Sequence, residues 1–535
     1  MTLTAYHSTG GDCANESDPT RNHYVLILRR NATPILAGAI CFVYALLAWF
    51  AVDPNQDILA DGIQAQSLLN DPRIVLAFPG QKHGGPLEYP FTVLAEWLAP
   101  GNFYANAAIR PFLAFLTGFF VAKLFIALFP TAPRWAFIIG IAVGPPVMHG
   151  YIGPEGAVGV WWLQPNWDMA WLLIAAGAYT LTKAAARQRK STHLLGGFLV
   201  GLGFFAHPAT ILLIIPLMTL VLLRSKHRVV NIAIGIVGAS IAVIPAAISY
   251  VVNSGVNTWD PSHGAFISID WYRGMGGQVL GLTGIPDHML ALLPYAAGLP
   301  PSQNFLSGPV QSALMWILLI AVITTATVAL FRLIRFKSRP SVAGSLGITW
   351  LVLILTMIFY ITFIDQVWLY SSSLAVLFWV SIGAMPIATN RKTVATGLTG
   401  TILVITGLSS LTHNWSYWSN YTTLVQQKQQ IQNTNMETAR LLKSAGVQFI
   451  FGSYYDAIPI AYATGGDIRV ITETYNRFPI SNFEAQQDEL LVAQVNSEYL
   501  SDTARLSNIC DSVDTPIELT QRQIKLFKCS PRALQ

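Results

Sequence analysis

Long apolar runs separated by short polar breaks fill the first three quarters of the chain, and then the pattern changes. The runs lie near 35–52, 110–129, 134–149, 168–186, 193–207, 209–223, 229–252, 309–333, 344–364, 366–386 and 392–409. A helix rises about 1.5 Å per residue, so roughly 20 apolar residues cross a hydrocarbon core of about 30 Å. The pattern therefore predicts an α-helical polytopic membrane protein with about eleven transmembrane helices. The two runs flanking His207-Pro208 are the shortest. Pro145, Pro146, Pro216 and Pro245 fall inside runs, where neighbouring helices can satisfy the freed carbonyls.

The breaks are unequal. Two outer loops are long, 53–109 and 253–308. Loops longer than about 15 residues are uncommon without a structure or function of their own. The shorter loop 150–167 carries Trp161, Trp162 and Trp167, which read as interface anchors. Residues 1–30 are polar and read as a disordered tail.

From about 410 the composition becomes that of a soluble protein. A polar-faced helix is predicted over 423–445, a strand over Val447–Phe451, a helix containing Ala457–Ala463 and a strand over Ile468–Ile471. That alternation predicts a small C-terminal α/β domain. The chain thus divides into a tail (1–34), a transmembrane module (35–409) and a soluble segment (410–535).

Charge sharpens this picture. Charged residues make up 11% of the chain, against roughly 25% in an average soluble protein, so the missing charge is missing from the spans. The basic clusters are Arg29-Arg30, Arg187 to Lys190, Arg224 to Arg228, Arg332 to Arg339 and Arg391-Lys392. With eleven spans all of them fall on one side, which the positive-inside rule makes the cytoplasm. The chain is then a multi-pass protein of the plasma (inner) membrane, with its N-terminus cytoplasmic and its C-terminal domain extracytoplasmic. The net charge of +5 is small for this size, and no nucleic-acid partner is indicated. Cys510 and Cys529 lie on the oxidising side, where a disulfide between them is expected, the alternative being two buried thiols.

Acids are scarce in the spans, which argues against an ion-coupled transporter. They gather at the outer surface instead. Asp53, Asp57 and Asp61 follow the first span, and Glu88 closes the stretch Lys82-His83-Gly84-Gly85-Pro86-Leu87-Glu88. Asp57 and Asp61 are spaced i, i+4 and share one helix face, where two carboxylates either raise each other's pKa or share a cation. A helix over 57–70 is amphipathic through Ile58, Leu59, Ile63, Leu68 and Leu69 and is expected to lie along the membrane surface. Lys82, His83 and the glycine amides suit a phosphate. Ordinary surface charge beside a membrane is the plainer reading of the same residues.

These features resemble the polytopic GT-C glycosyltransferases, in particular the protein O-mannosyltransferase-like and aminoarabinose-transferase-like enzymes of the glycosyltransferase family 39 type. The resemblance rests on Asp57 to Ala65, on Gly80 to Tyr89, on Arg110-Pro111 opening the second span, on Gly201 to Pro208, and on an outside domain carrying Gly452 to Tyr455. It implies inverting transfer of a sugar from a polyprenyl-phosphate donor to a glycan, lipid or protein acceptor on the outer face of the bilayer. It further implies a first-loop Asp as catalytic base. Asp57 matches that position best, with Asp61 as competitor. Many relatives have a Glu-Lys-Pro-Pro run where this chain has His83-Gly84-Gly85-Pro86, so the role of the phosphate-binding Lys falls to Lys82 or His83. Arg110 and Arg273 are further cations for the leaving phosphate, and Glu88 is placed to orient sugar or acceptor. Some members use a divalent metal such as Mg or Mn and others none, and Asp57 and Asp61 are the ligands if one is used. His207 reads as structural or headgroup-facing. The rival readings are a flippase or transporter of lipid-linked sugars, a glycan polymerase or ligase, and a non-catalytic assembly protein.

Overall fold

The apolar runs fold as helices wherever the computed structural model describes them. It describes residues 19–51, 56–70, 72, 85–132, 134–135, 165–207, 210–252, 308–361, 380–388, 419–452, 454–472, 490–495, 510–513, 517–519 and 524–531, with isolated positions at 138, 377 and within 393–404. The long helices are α1 (Pro19–Ala51), α5 (Arg110–Leu128), α6 (Pro165–Arg187), α7 (Lys190–Ala206), α8 (Ile211–Arg224), α9 (Val229–Val252), α10 (Gly308–Phe336) and α11 (Val342–Ile361). Among the described residues, four segments are long and apolar enough to cross a membrane: Asn31–Ala51, Phe103–Leu128, Met169–Arg187 and Val229–Ile248. Ile211–Arg224 and Val342–Thr356 are shorter apolar helices. The run at 134–149 and much of those at 366–386 and 392–409 lie outside the described residues. One expectation is corrected: α1 begins at Pro19, so helix replaces the disordered tail expected there. Pro suits a first helical turn, and Tyr24 to Leu28 is itself apolar enough to propagate one.

These helices bury small residues and expose large ones. Gly196, Gly197 and Gly201 on α7 let the backbones of α6 and α9 approach closely. Leu124, Trp171, Ile174, Leu213, Leu217, Leu353 and Val380 form the main interhelical core. Ile236, Ile241, Ile244 and Ile248 on α9 and Trp316, Ile317 and Ile320 on α10 are exposed instead. An apolar exposed surface of that extent suits lipid.

Three short helices occupy the first outer loop: α2 (Gln56–Asn70), α3 (Tyr89–Leu98) and α4 (Phe103–Asn106). After the spans come α12 (Tyr421–Ser444), β1 (Phe449–Gly452), α13 (Tyr454–Ala463), β2 (Arg469–Thr472), β3 (Leu490–Val495), β4 (Cys510–Val513), β5 (Ile517–Leu519) and β6 (Ile524–Pro531). The strands form one mixed sheet in the order β2-β1-β3-β6-β4, with β5 also on β6. β1 runs parallel to β2 and β3, with Ile450 opposite Val470 and Ala493. β6 runs antiparallel to β3, β4 and β5.

The outer-loop helices and the sheet share one core. Leu59 of α2 and Phe103 of α4 pack with Ile458, Tyr462, Val470, Ala493 and Leu526. The expected helix over 57–70 is therefore present, but its apolar side is taken by α13 rather than by the membrane surface, with Ile58 and Leu59 only 2% and 1% exposed. A second tie joins α12 to the end of α1. Lys428 is buried, donates to the Trp49 carbonyl at 2.5 Å and lies 4.6 Å from the Tyr104 ring centre. Tyr421 donates to the Leu47 carbonyl at 3.1 Å. The Trp49 carbonyl is one of the last four of α1, which lack intrahelical partners, and the dipole there favours a cation.

Gly62 sits where α2 meets α13. A Cβ there would lie 2.3 Å from Asn106 Nδ2 and 2.4 Å from Tyr462 Cε2. Overpacking of this kind costs about 1–3 kcal/mol. Gly62→Ala is expected to loosen the C-terminal segment and speed its release by limited proteolysis. Gly400→Ala, at a position with none of the described residues within 4 Å, serves as the unchanged control.

Candidate functional site

α3 is built inside out for a surface helix. Its buried positions are Tyr89, Thr92 and Glu96, while Phe91, Leu94, Trp97 and Leu98 are exposed, the last two by 67% and 69%. Such a helix is at home in a membrane interface, with its apolar face immersed and its polar face turned to the protein. Pro90 sets its first turn. Just before it, residues 85–88 are held against the end of α7, where Gly85 N donates to the Phe205 carbonyl at 2.6 Å. A Cβ on Gly85 would meet the Phe205 ring at 2.3 Å, so only glycine permits this approach.

That turn drives Glu88 inward. Its backbone takes the helix-capping position and its carbonyl accepts from Thr92 N at 3.1 Å, but its side chain caps nothing. Glu88 is 1% exposed, and neither carboxyl oxygen has a hydrogen-bond partner among the described residues. Burial, and then the charge of Asp61, hold its pKa well above the ordinary carboxyl range, with Arg110 opposing. Tyr89 donates to Asp61 Oδ1 at 3.4 Å. Arg110, the first residue of α5, is 2% exposed.

The structure thus brings Asp61, Glu88 and Arg110 into one cluster, with Tyr89 beside them. Asp57 lies one turn earlier on α2, with its side chain outside the described residues. Lys82, His83 and Arg273 lie outside the described residues altogether. His207 ends α7, and its carbonyl accepts from Thr210 Oγ1 at 2.6 Å. Cys510 and Cys529 stand on the paired strands β4 and β6, opposite Pro531 and Val513 respectively, and their side chains are outside the described residues. Among the described residues no group of three or more His, Cys, Asp or Glu could hold a metal ion.

A second buried polar cluster escapes the reading of the sequence. Glu96 Oε2 accepts from Gln66 Nε2 at 2.8 Å and from Gly101 N at 3.1 Å. The hydroxyl of Tyr462, from α13, lies 2.5 Å from Glu96 Oε1 and 2.9 Å from the Asn102 carbonyl. Tyrosine has one hydroxyl proton, and a carbonyl only accepts. Both contacts are satisfied together when Glu96 is protonated and donates to Tyr462. Burial raises the Glu96 pKa, which agrees with that state, and burial raises Tyr462 as well. The signal was in the sequence: Glu88, Thr92 and Glu96 fall four apart, a polar stripe on an apolar helix.

Chemically, the first cluster offers two carboxyl groups, one of them with its pKa raised by burial, a phenol and a guanidinium. Its wall α3 presents an exposed apolar face. Neither a protein-family model nor a curated protein matches the sequence. Among solved structures, ArnT from Cupriavidus metallidurans bound to undecaprenyl phosphate aligns over 95% of this chain and 98% of its own length, with a TM-score of 0.50 and 10% identity. The chain shares the fold of that protein. Two structures of lower TM-score also align. The apo oligosaccharyltransferase of Archaeoglobus fulgidus covers 85% of this chain and 69% of its own (TM-score 0.42, 10% identity). The oligosaccharyltransferase AglB of the same organism, in complex with an inhibitory peptide and a dolichol-phosphate, covers 89% and 70% (TM-score 0.43, 11% identity). Within this fold the Glu88 cluster lies where the first outer loop meets the start of α5.

Glu96 gives a pH prediction. Its folded pKa is raised above 4.5, so the folded chain binds more protons than the unfolded one between the two values. Its contribution to stability is complete below the unfolded value and is lost as pH rises through the folded one. Thermal stability is expected to fall as pH rises above the ordinary carboxyl range. Glu96→Gln, neutral throughout, should flatten that fall in the same melting series.

Proposed function

We propose that this chain is a membrane glycosyltransferase that moves a sugar from a polyprenyl-phosphate carrier to an acceptor hydroxyl at the outer membrane face. The observation that carries the reading is the buried carboxyl of Glu88 beside Asp61 and Arg110, behind a helix whose exposed face is apolar. A lipid-linked donor reaches such a site sideways from the bilayer. The shared fold supports it, since ArnT is seen bound to undecaprenyl phosphate. The orientation inferred from the basic clusters, with about eleven spans and the C-terminal segment outside, supports it too.

In this mechanism Asp57 takes the acceptor proton, as a positioned carboxylate does. The acceptor oxygen attacks the anomeric carbon, the carbon–phosphate-oxygen bond breaks, and the polyprenyl phosphate leaves with the electron pair, inverting the centre. The transition state is oxocarbenium-like. Asp61 is engaged by Tyr89 and faces Glu88, so it orients rather than abstracts. Neutral Glu88 donates a hydrogen bond to the sugar or the phosphate. Arg110, with Lys82, His83 and Arg273, meets the charge developing on the phosphate. A divalent cation such as Mg or Mn, if one is bound, would be held by Asp57 and Asp61 and would neutralise phosphate charge. The Cys510–Cys529 disulfide would brace the outer edge of the sheet.

The test is release of label from radiolabelled polyprenyl-phosphate sugars by the purified chain. Asp57→Asn should lower turnover by about 10²–10⁴ with donor affinity kept. Asp61→Asn should be less severe. Full activity in Asp57→Asn with an inactive Asp61→Asn moves the base to Asp61. Full activity in both, or carrier left intact by the wild type as a flippase would leave it, refutes the proposal.

A further inference from the structure

A second unsatisfied corner lies at the opposite end of the helices. From Ala206, beside the Glu88 turn, to His193 the α7 axis runs about 20 Å, which sets this corner well away from the Glu88 cluster. There Arg224 ends α8, and its guanidinium stacks 5.5 Å from the Phe129 ring centre. Arg224 Nε and Ser225 Oγ are buried and have no hydrogen-bond partner among the described residues. Arg339, exposed on the link between α10 and α11, is the charge that acts on Arg224 after burial itself. His227 walls the same corner. His193 Nδ1 sits 2.9 Å from the Arg189 carbonyl and must donate, so its Nε2 accepts from His227 Nδ1 at 3.3 Å. The other ring nitrogen of His227, Nε2, then carries no proton and can only accept, so His227 lines the corner as a neutral ring without donating to an anion.

Two guanidiniums do not settle against each other without a counter-charge. The polar links meeting here, 187–193, 224–228 and 337–341, hold eight Lys or Arg and no Asp or Glu, so these links supply none. We propose that Arg224, Ser225 and Arg339 form a binding site for a phosphate-bearing anion, on the membrane face opposite the Glu88 cluster. Arginine forks match phosphate oxygens, the serine hydroxyl adds a donor, and the Phe129 ring holds the Arg224 plane. Two sources share this chemistry, the headgroup of an anionic phospholipid and free phosphate, and basic pockets between membrane helices suit the first. The site does not depend on sugar transfer.

Native mass spectrometry of the purified full chain tests it, with phosphatidylglycerol and phosphatidylcholine titrated in parallel. The wild type is expected to retain phosphatidylglycerol over phosphatidylcholine. Arg224→Gln/Arg339→Gln should weaken retention by about tenfold. Arg332→Gln/Arg335→Gln, which removes equal charge outside the corner, should not. Ser225→Ala keeps both charges and should weaken retention severalfold at unchanged melting temperature, which separates binding from misfolding. Competition by millimolar inorganic phosphate assigns the site to a small anion, and its absence assigns the site to the lipid; either supports it. Equal retention in the Arg224/Arg339 variant and wild type, equal loss in the Arg332/Arg335 control, or equal retention of the two lipids overturns it.

Discussion

A carboxyl group taken out of water holds the outer half of this molecule together. Glu96 sits between α2, α3 and α13, and every bond it makes runs to a different stretch of chain: Gln66, Gly101 and Tyr462. A buried polar group left unpaired costs roughly 1–3 kcal/mol, so none of these partners can leave alone. Tyr462 adds a ring against Phe103 with centres 5.7 Å apart, and its carbonyl accepts from Gln66. The seam thus joins residues nearly 400 positions apart in sequence, 66 and 462, into one body.

The rest of the outer architecture follows from that seam. With its apolar side committed to α13, α2 has a set rotation, and that rotation turns Asp61 toward Tyr89 and Glu88. Because α3 gives its polar stripe to the protein, it leaves Phe91, Leu94, Trp97 and Leu98 exposed, a face that suits lipid. Glu88 is then buried beside an acid and an arginine, a placement that costs stability and is characteristic of functional sites. Lys428 under Trp49 secures the same assembly from α12.

Much of this was legible in the sequence, and the parts that were not have physical reasons. Long apolar runs announce helices because period and length both speak, and α9 spans the residues its run does, 229–252. α12, β1, α13 and β2 were legible from alternation of helical and strand patterns. The strands from 490 onward were not, because β4 and β5 are three or four residues long and carry no periodicity. Asp61, Glu88 and Arg110 were named from the sequence, but their convergence was not visible there, since it depends on a close backbone approach between Gly85 and Phe205. Tyr462 could not be found at all. A lone tyrosine in a soluble-looking helix gives no hint that its partner is an acid in a loop before the second span. The amphipathic pattern of α2 was read well and assigned to the wrong neighbour, because a membrane surface and a protein surface ask the same pattern of a helix.

The central claim is that the corner formed by Asp61, Glu88 and Arg110 receives the phosphate of a lipid carrier. Equilibrium binding of a sugar-free polyprenyl phosphate to the purified full chain, compared with an Arg110→Gln variant of unchanged melting temperature, tests it most directly. The account predicts saturable binding to the wild type and about a tenfold or greater loss in the variant. Equal binding to both proteins would contradict it.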